Sequence, residues 1–304
     1  MSLRSKLAAG QFVITAEVVP PVSADPQALL RKALPLAALA DAINITDGAG
    51  ARAHLDALTA AGLLVREGIE PVLQITCRDR NRIALQSLLL GAAAQGVQNL
   101  LALAGDHPSA GDQPDAKAVF DLDSRRLLET ARTMRDRSAL PHGRDISGKI
   151  EFFLGCADIP IDPSPQWRPD DLLRKLDAGA QFVQTQFCMD AQVVRHYLER
   201  LEQHGIIERA SILIGLGPIS SAQSARWMRT HLFGTLIPDA LIERLEASSD
   251  AGLEGRRICV ELMHTMQAIP GVAGVHLMAP SRDSGLPEVI EAFRSEGGGA
   301  QRRA

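Results

Sequence analysis

Several short apolar segments of this chain carry polar residues that a buried strand does not need for packing. Glu17 interrupts the run F-V-I-T-A-E-V-V at 12–19, and Pro20 and Pro21 follow it. Asn44, Thr46 and Asp47 close the run that begins at Ala42. Gln74 and Thr76 alternate in P-V-L-Q-I-T-C at 71–77, so they share one face, and Arg78, Asp79, Arg80, Asn81 and Arg82 come next. Asp106 ends N-L-L-A-L-A-G at 99–105, after a glycine that lets the backbone turn, and Gln184 and Gln186 alternate in F-V-Q-T-Q-F at 182–187. A polar group left unpaired in an apolar layer is costly, so these groups must converge on a polar site or on one another. A carboxyl in an apolar strand suits proton donation, because burial penalises its charged form. An arginine partner is the alternative for Glu17, and a turn or cap is the alternative for Asp106. The 78–82 cluster reads as a phosphate clamp or as a solvated first helical turn.

The elements that must position these residues follow a rhythm. Eight apolar, β-branched runs begin near residues 12, 42, 71, 99, 150, 182, 211 and 274. Stretches of helical period separate them at 25–39, 54–66, 80–94, 124–135, 169–178, 191–204 and 252–268. Near-continuous apolar strands, each followed by a helix, predict parallel strands buried on both faces. Eight right-handed βα units close into a single (β/α)₈ TIM barrel, with extra loops and helices at its C-terminal face. A doubly wound open sheet would place a glycine-rich phosphate turn after the first strand, where Pro20-Pro21-Val22 stands instead. The barrel is expected to occupy 1–295, with 296–304 as a disordered tail. The Pro-, Gly- and Asp-rich loop at 106–123 falls on the C-terminal side of the fourth strand, where barrel sites sit.

Composition narrows the function classes. A net charge of −4 in 304 residues gives no reason to expect nucleic acid or a membrane surface as partner. No apolar run reaches the roughly 18 residues a membrane span needs, and no secretory leader is visible, so a cytoplasmic location is expected. Cys77, Cys156, Cys188 and Cys259 lack metal or disulfide spacing, and no two histidines share a helical face, so no metal is expected. Cys188 reads as an inert buried thiol, Gly215 and Gly217 as too weak a motif to count, and Trp167 and Trp227 as packing residues.

The segments A-E-V-V-P-P at 16–21, A-L-A-G-D-H-P at 102–108, D-A-G-A-Q-F-V-Q-T-Q-F-C-M-D at 177–190 and L-I-G-L-G-P-I-S at 213–220 together resemble the methylenetetrahydrofolate reductase family. The likeness runs from about residue 10 to 280, and 77–93 with Phe120-Asp121-Leu122-Asp123 is similar to the form found in bacterial one-carbon and methyl-group pathways. The resemblance implies a barrel that binds FAD, or FMN, and moves a hydride between 5,10-methylenetetrahydrofolate and 5-methyltetrahydrofolate, with NAD(P)H as external donor. It implies Glu17 as general acid, Asp106 as the acidic residue beside flavin and folate, and Gln186 as a pterin contact. Thr46, Gln74 and Phe120 fall at flavin contacts. Ala104, Leu173 and the segment 156–163 depart from the family pattern where the flavin's phosphates and adenine are held, which passes that role to Arg80, Arg82 and Lys175. Met228 stands where the family has an aromatic residue against nicotinamide or folate. Two alternatives stay open: a flavin-free transfer directly from nicotinamide, and a pterin-binding or electron-relay subunit that needs a partner protein. The oligomeric state is open as well.

Overall fold

A computed structural model of the chain describes residues 1–278 and 285–299. Eight parallel strands run through it: β1 (Val13–Val18), β2 (Ala42–Ile45), β3 (Pro71–Thr76), β4 (Asn99–Leu103), β5 (Phe153–Asp158), β6 (Phe182–Phe187), β7 (Ser211–Leu216) and β8 (Val272–Leu277). Each pairs with the next, and β1 pairs again with β8, so the ring is closed as expected. Around it lie α2 (Pro26–Ala37), α3 (Ala57–Arg66), α4 (Arg82–Ala94), α5 (Ser124–Arg137), α6 (Asp170–Ala178) and α7 (Ala191–Gln203), with α10 (Ala251–Gln267) before β8. All of these but α6 start at a side-chain cap: Asp25, Asp56, Asn81, Asp123, Asp190 and Asp250 each accept from a first-turn N–H.

Four helices were not expected: α1 (Leu3–Ala8), α8 (Ala222–His231), α9 (Asp239–Ala247) and α11 (Leu286–Ser295). The first is only six residues long, and Gly234 and Pro238 divide the segment after β7 into pieces too short to show a clear period. Of the expected tail, 296–299 form turns, with 296–298 bonded back to α11 and the Gly299 N–H donating to the Gln267 side chain, and 300–304 lie outside the described residues. So do positions 279 and 280 of the last apolar run.

Strand alternation sorts the core into two parts. Outward residues such as Ile14, Ile43, Ile75, Val183 and Ile214 join the helices in one large apolar cluster. Inward residues at the N-terminal end (Val13, Ala42, Val72, Leu101, Phe153, Phe182 and Leu213) form a separate cluster with Leu3 and Leu7 of α1. The short first helix therefore plugs the bottom of the barrel. Gly155 makes room inside: a Cβ there would sit 2.2 Å from the Phe182 ring, which stacks on Phe153 at 4.9 Å. Above this floor the inward positions turn polar.

Candidate functional site

The first polar layer consists of Thr15, Asn44, Gln184 and His276, each at most 3% exposed. Asn44 Nδ2 donates to Gln184 Oε1 (2.6 Å), and Gln184 Nε2 donates to Asn44 Oδ1 (3.0 Å) and Thr15 Oγ1 (2.9 Å). Thr15 Oγ1 lies 3.0 Å from His276 Nδ1. These bonds satisfy amide and hydroxyl groups that burial would otherwise penalise.

Glu17 stands one step higher on β1, with 19% of its side chain exposed. Its Oε2 accepts from Gln74 Nε2 at 2.9 Å and faces His276 Nε2 at 3.7 Å, beyond hydrogen-bond reach. Among the described residues no arginine pairs with it, which removes the alternative considered for this carboxyl. Oε1 has no partner among the described residues. Oε2 is thus held by Gln74, and Oε1 is the oxygen left open.

Thr46 and Asp47 follow β2 at the same end. Asp47 accepts from the Thr76 backbone N–H (2.8 Å), Thr76 Oγ1 (3.0 Å) and both terminal nitrogens of Arg80 (2.7 and 3.1 Å). Burial works against the charge of Arg80, but its bonds to Asp47, with Asp56 and Asp79 nearby, raise its pKa above the ordinary arginine value. Thr46 Oγ1 is buried with no partner, one of two such side-chain atoms among the described residues. Asp106 is exposed on this rim, just past Gly105. Gly105 has φ +86°, and a Cβ there would come within 2.9 Å of Thr76, so the turn requires glycine. Asp106 caps no helix; that task falls to His107 on the short turn 108–110. Phe120 has φ +42° and is 39% exposed, with its ring stacked on His107 at 6.4 Å. A left-handed backbone at a non-glycine costs about 1–2 kcal/mol, and such strain collects at binding sites.

Several sequence expectations need correction. Gln186 follows Gln184 across an irregularity in the pairing of β6 with β7, which shifts between Gln184 and Phe187. Its amide instead accepts from the Phe187 N–H (3.0 Å) and donates to the Phe233 carbonyl (3.2 Å). Met228 is 1% exposed within α8, so it packs in the outer core and does not line an opening. Lys175 Nζ donates to the Ala157 carbonyl (3.0 Å) and pairs with Asp171 (2.7 Å), behind the strand wall. Arg82 pairs with Asp121, holding that carboxyl well below the usual range, and Arg78 pairs with Asp79 and Gly48. The basic residues assigned to phosphates are thus already balanced by carboxylates. Trp227 is 54% exposed and stacks on His231, so it is not a packing residue.

His276 and Thr15 went unassigned in the sequence, although a histidine inside G-V-H-L-M is as anomalous as Glu17 in its own strand. Asp158 was missed too. It leaves β5 on the outer side, accepts from the buried Tyr197 hydroxyl, and burial pushes its pKa upward. A cleft of about 240 Å³ opens at the far end of the barrel, lined by Leu7, Gly10, Gln11, Ala210 and Ser211. It holds no titratable side chain and is remote from these groups.

Fold and site define a (β/α)₈ barrel with an acid–amide–imidazole cluster at the C-terminal mouth, the end where barrel enzymes hold their reacting groups. The sequence pattern of the methylenetetrahydrofolate reductases matches residues 2–294, and the chain belongs to that family. It is 26% identical over 242 residues to a probable methylenetetrahydrofolate reductase (NADPH) of Caenorhabditis elegans, covering 77% of this chain and 34% of that protein. It is 26% identical over 169 residues to the 5,10-methylenetetrahydrofolate reductase of Salmonella typhimurium, covering 54% of this chain and 49% of that one. The chain therefore spans about a third to a half of those relatives. A Clostridium thermocellum protein that binds two copies of 5-methyl-5,6,7,8-tetrahydrofolic acid has the same fold, with TM-score 0.65, 16% identity and coverage of 97% and 98%.

Proposed function

We propose that this chain interconverts 5,10-methylenetetrahydrofolate and 5-methyltetrahydrofolate, with Glu17 as the acid. The observation that carries the reading is the Glu17 carboxyl: one oxygen is fixed by Gln74, and the other is free at the barrel mouth. Protonation of a folate nitrogen from Oε1 opens the five-membered ring, and the iminium left behind accepts a hydride at the one-carbon unit. Gln74 holds the carboxyl in place, while Gln186 and Asp106 at the rim orient the pterin, polar groups at the edge of an apolar slot.

A flavin, FAD in this reading, supplies that hydride when bound. The ring side fits: Thr46 offers an unpaired buried hydroxyl, and Phe120 an exposed flat face on a strained backbone. The phosphate side fits less well, because Arg80, Arg82 and Lys175 are committed to Asp47, Asp121 and Asp171. That observation favours a second reading, in which nicotinamide delivers the hydride with no flavin. Denaturing the purified protein and weighing any released cofactor separates the two. The four buried thiols suit a reducing, cytoplasmic compartment.

The test of the acid is Glu17→Gln. The variant is expected to bind folate and to lose at least about a hundredfold in turnover, the usual loss with a general acid. Normal turnover in that variant would end the assignment.

A further inference from the structure

Glu17 faces the buried amide layer across His276, and the donors and acceptors of that layer form a continuous chain. Asn44 and Gln184 exchange two hydrogen bonds, at 2.6 and 3.0 Å, which fix their amides relative to each other. The second N–H of Gln184 then goes to Thr15 Oγ1 at 2.9 Å. With Thr15 accepting there, its own proton is free for His276 Nδ1 at 3.0 Å, a better-placed acceptor than the Val275 carbonyl at 3.5 Å. An imidazole that accepts at Nδ1 and is neutral carries its proton on Nε2, the nitrogen facing Glu17 Oε2 at 3.7 Å.

We infer that the Asn44–Gln184 pair sets the tautomer of His276 through Thr15, so that an N–H and not a lone pair is turned toward Glu17. Asn44, Gln184 and Thr15 are positioning residues in this scheme; none needs to touch the folate. The Nε2–H turns the positive end of its dipole toward Glu17 Oε2, the oxygen that Gln74 also holds. The opposite arrangement is the one the experiment has to exclude: with both amides turned over, Thr15 would donate to Gln184, and His276 would carry its proton on Nδ1. A bare lone pair would then face Glu17. The two networks therefore predict opposite ring protonation, and this is directly measurable.

The consequence for turnover rests on the reading of Glu17 as proton donor, whereas the tautomer does not. The experiment is a long-range nitrogen–proton correlation spectrum of the protein labelled in its histidine rings. It is recorded about two pH units above the ordinary histidine value, so that neutral rings dominate. The His276 signals are assigned by their loss in His276→Gln. Wild type is expected to show the Nε2–H pattern. The paired change Asn44→Leu with Gln184→Met removes both amides together, leaving neither unpaired, and is expected to move His276 toward the Nδ1–H pattern. Thr15→Val is expected to do the same, and Thr15→Ser to restore the wild-type spectrum. In turnover assays the paired variant should lose about tenfold in kcat, or roughly 1.4 kcal/mol, with KM for folate little changed. An Nδ1–H pattern in wild type, or an unmoved spectrum in both the paired variant and Thr15→Val, overturns the inference. If the tautomer behaves as expected while Glu17→Gln keeps full turnover, the network stands and the proposed acid falls.

Discussion

Thr46 shows how a single side chain separates the needs of the fold from those of a ligand. Its hydroxyl is buried beside the charged Asp47 yet bonds to nothing among the described residues. Removing an unpaired buried polar atom relieves a desolvation cost, so Thr46→Val should leave stability unchanged or raise it by up to about 1 kcal/mol. If Thr46 holds a flavin, the same change should weaken FAD binding about fivefold, for a lost hydrogen bond of ~1 kcal/mol. Thermal melts and calorimetric titration with FAD read the two effects separately, and a variant that both melts lower and binds FAD normally would reverse the interpretation. The cysteines present the contrasting case. Burial pushes Cys77, Cys156, Cys188 and Cys259 up to about 12. Native protein should therefore leave all four unreacted toward an aromatic disulfide reagent at neutral pH, while unfolded protein titrates all four. One rapidly labelled native thiol would contradict the burial described.

Between residue and fold lie the strand ends, and one of them couples to pH. Burial raises the Asp158 pKa from its ordinary 3.8, against the opposing pull of Tyr197 and Lys175. A carboxyl that holds its proton more tightly when folded favours folding at low pH. That contribution is complete below the unfolded value and is lost as pH rises through the folded one. Asp158→Asn should therefore gain in melting temperature relative to wild type as pH goes from about 4 to 7. A gap that widens in the opposite direction would show that the Tyr197 and Lys175 contacts outweigh burial. The element scale also shows what could be read from sequence and what could not. Eight strands were legible, because burial on both faces writes a near-continuous apolar run, and the rim positions of Glu17, Asp47, Gln74 and Asp106 followed from strand direction alone. The partners were not legible. That Arg80 belongs to Asp47, Lys175 to Asp171, and Gln74 to Glu17 depends on spacing across strands and helices that no local pattern encodes. Gln186 shows the limit most clearly, since the shifted pairing of β6 with β7 and the bonds of its amide to Phe187 and Phe233 leave no mark on the alternation of its strand.

At the scale of the whole molecule, the barrel has two unlike ends. Leu3 and Leu7 are at most 9% exposed and complete the apolar floor. Truncating either to alanine should cost about 2–5 kcal/mol, measured by denaturant unfolding, with no direct effect on the mouth. A loss well under 1 kcal/mol would mean that the floor closes without α1. The sealed floor has a further consequence, for traffic. A vessel stoppered at its base has one doorway, so whatever occupies the Glu17 carboxyl must back out the way it came before a successor can reach that depth. Two ligands that both needed this spot could not hold it together and would have to alternate.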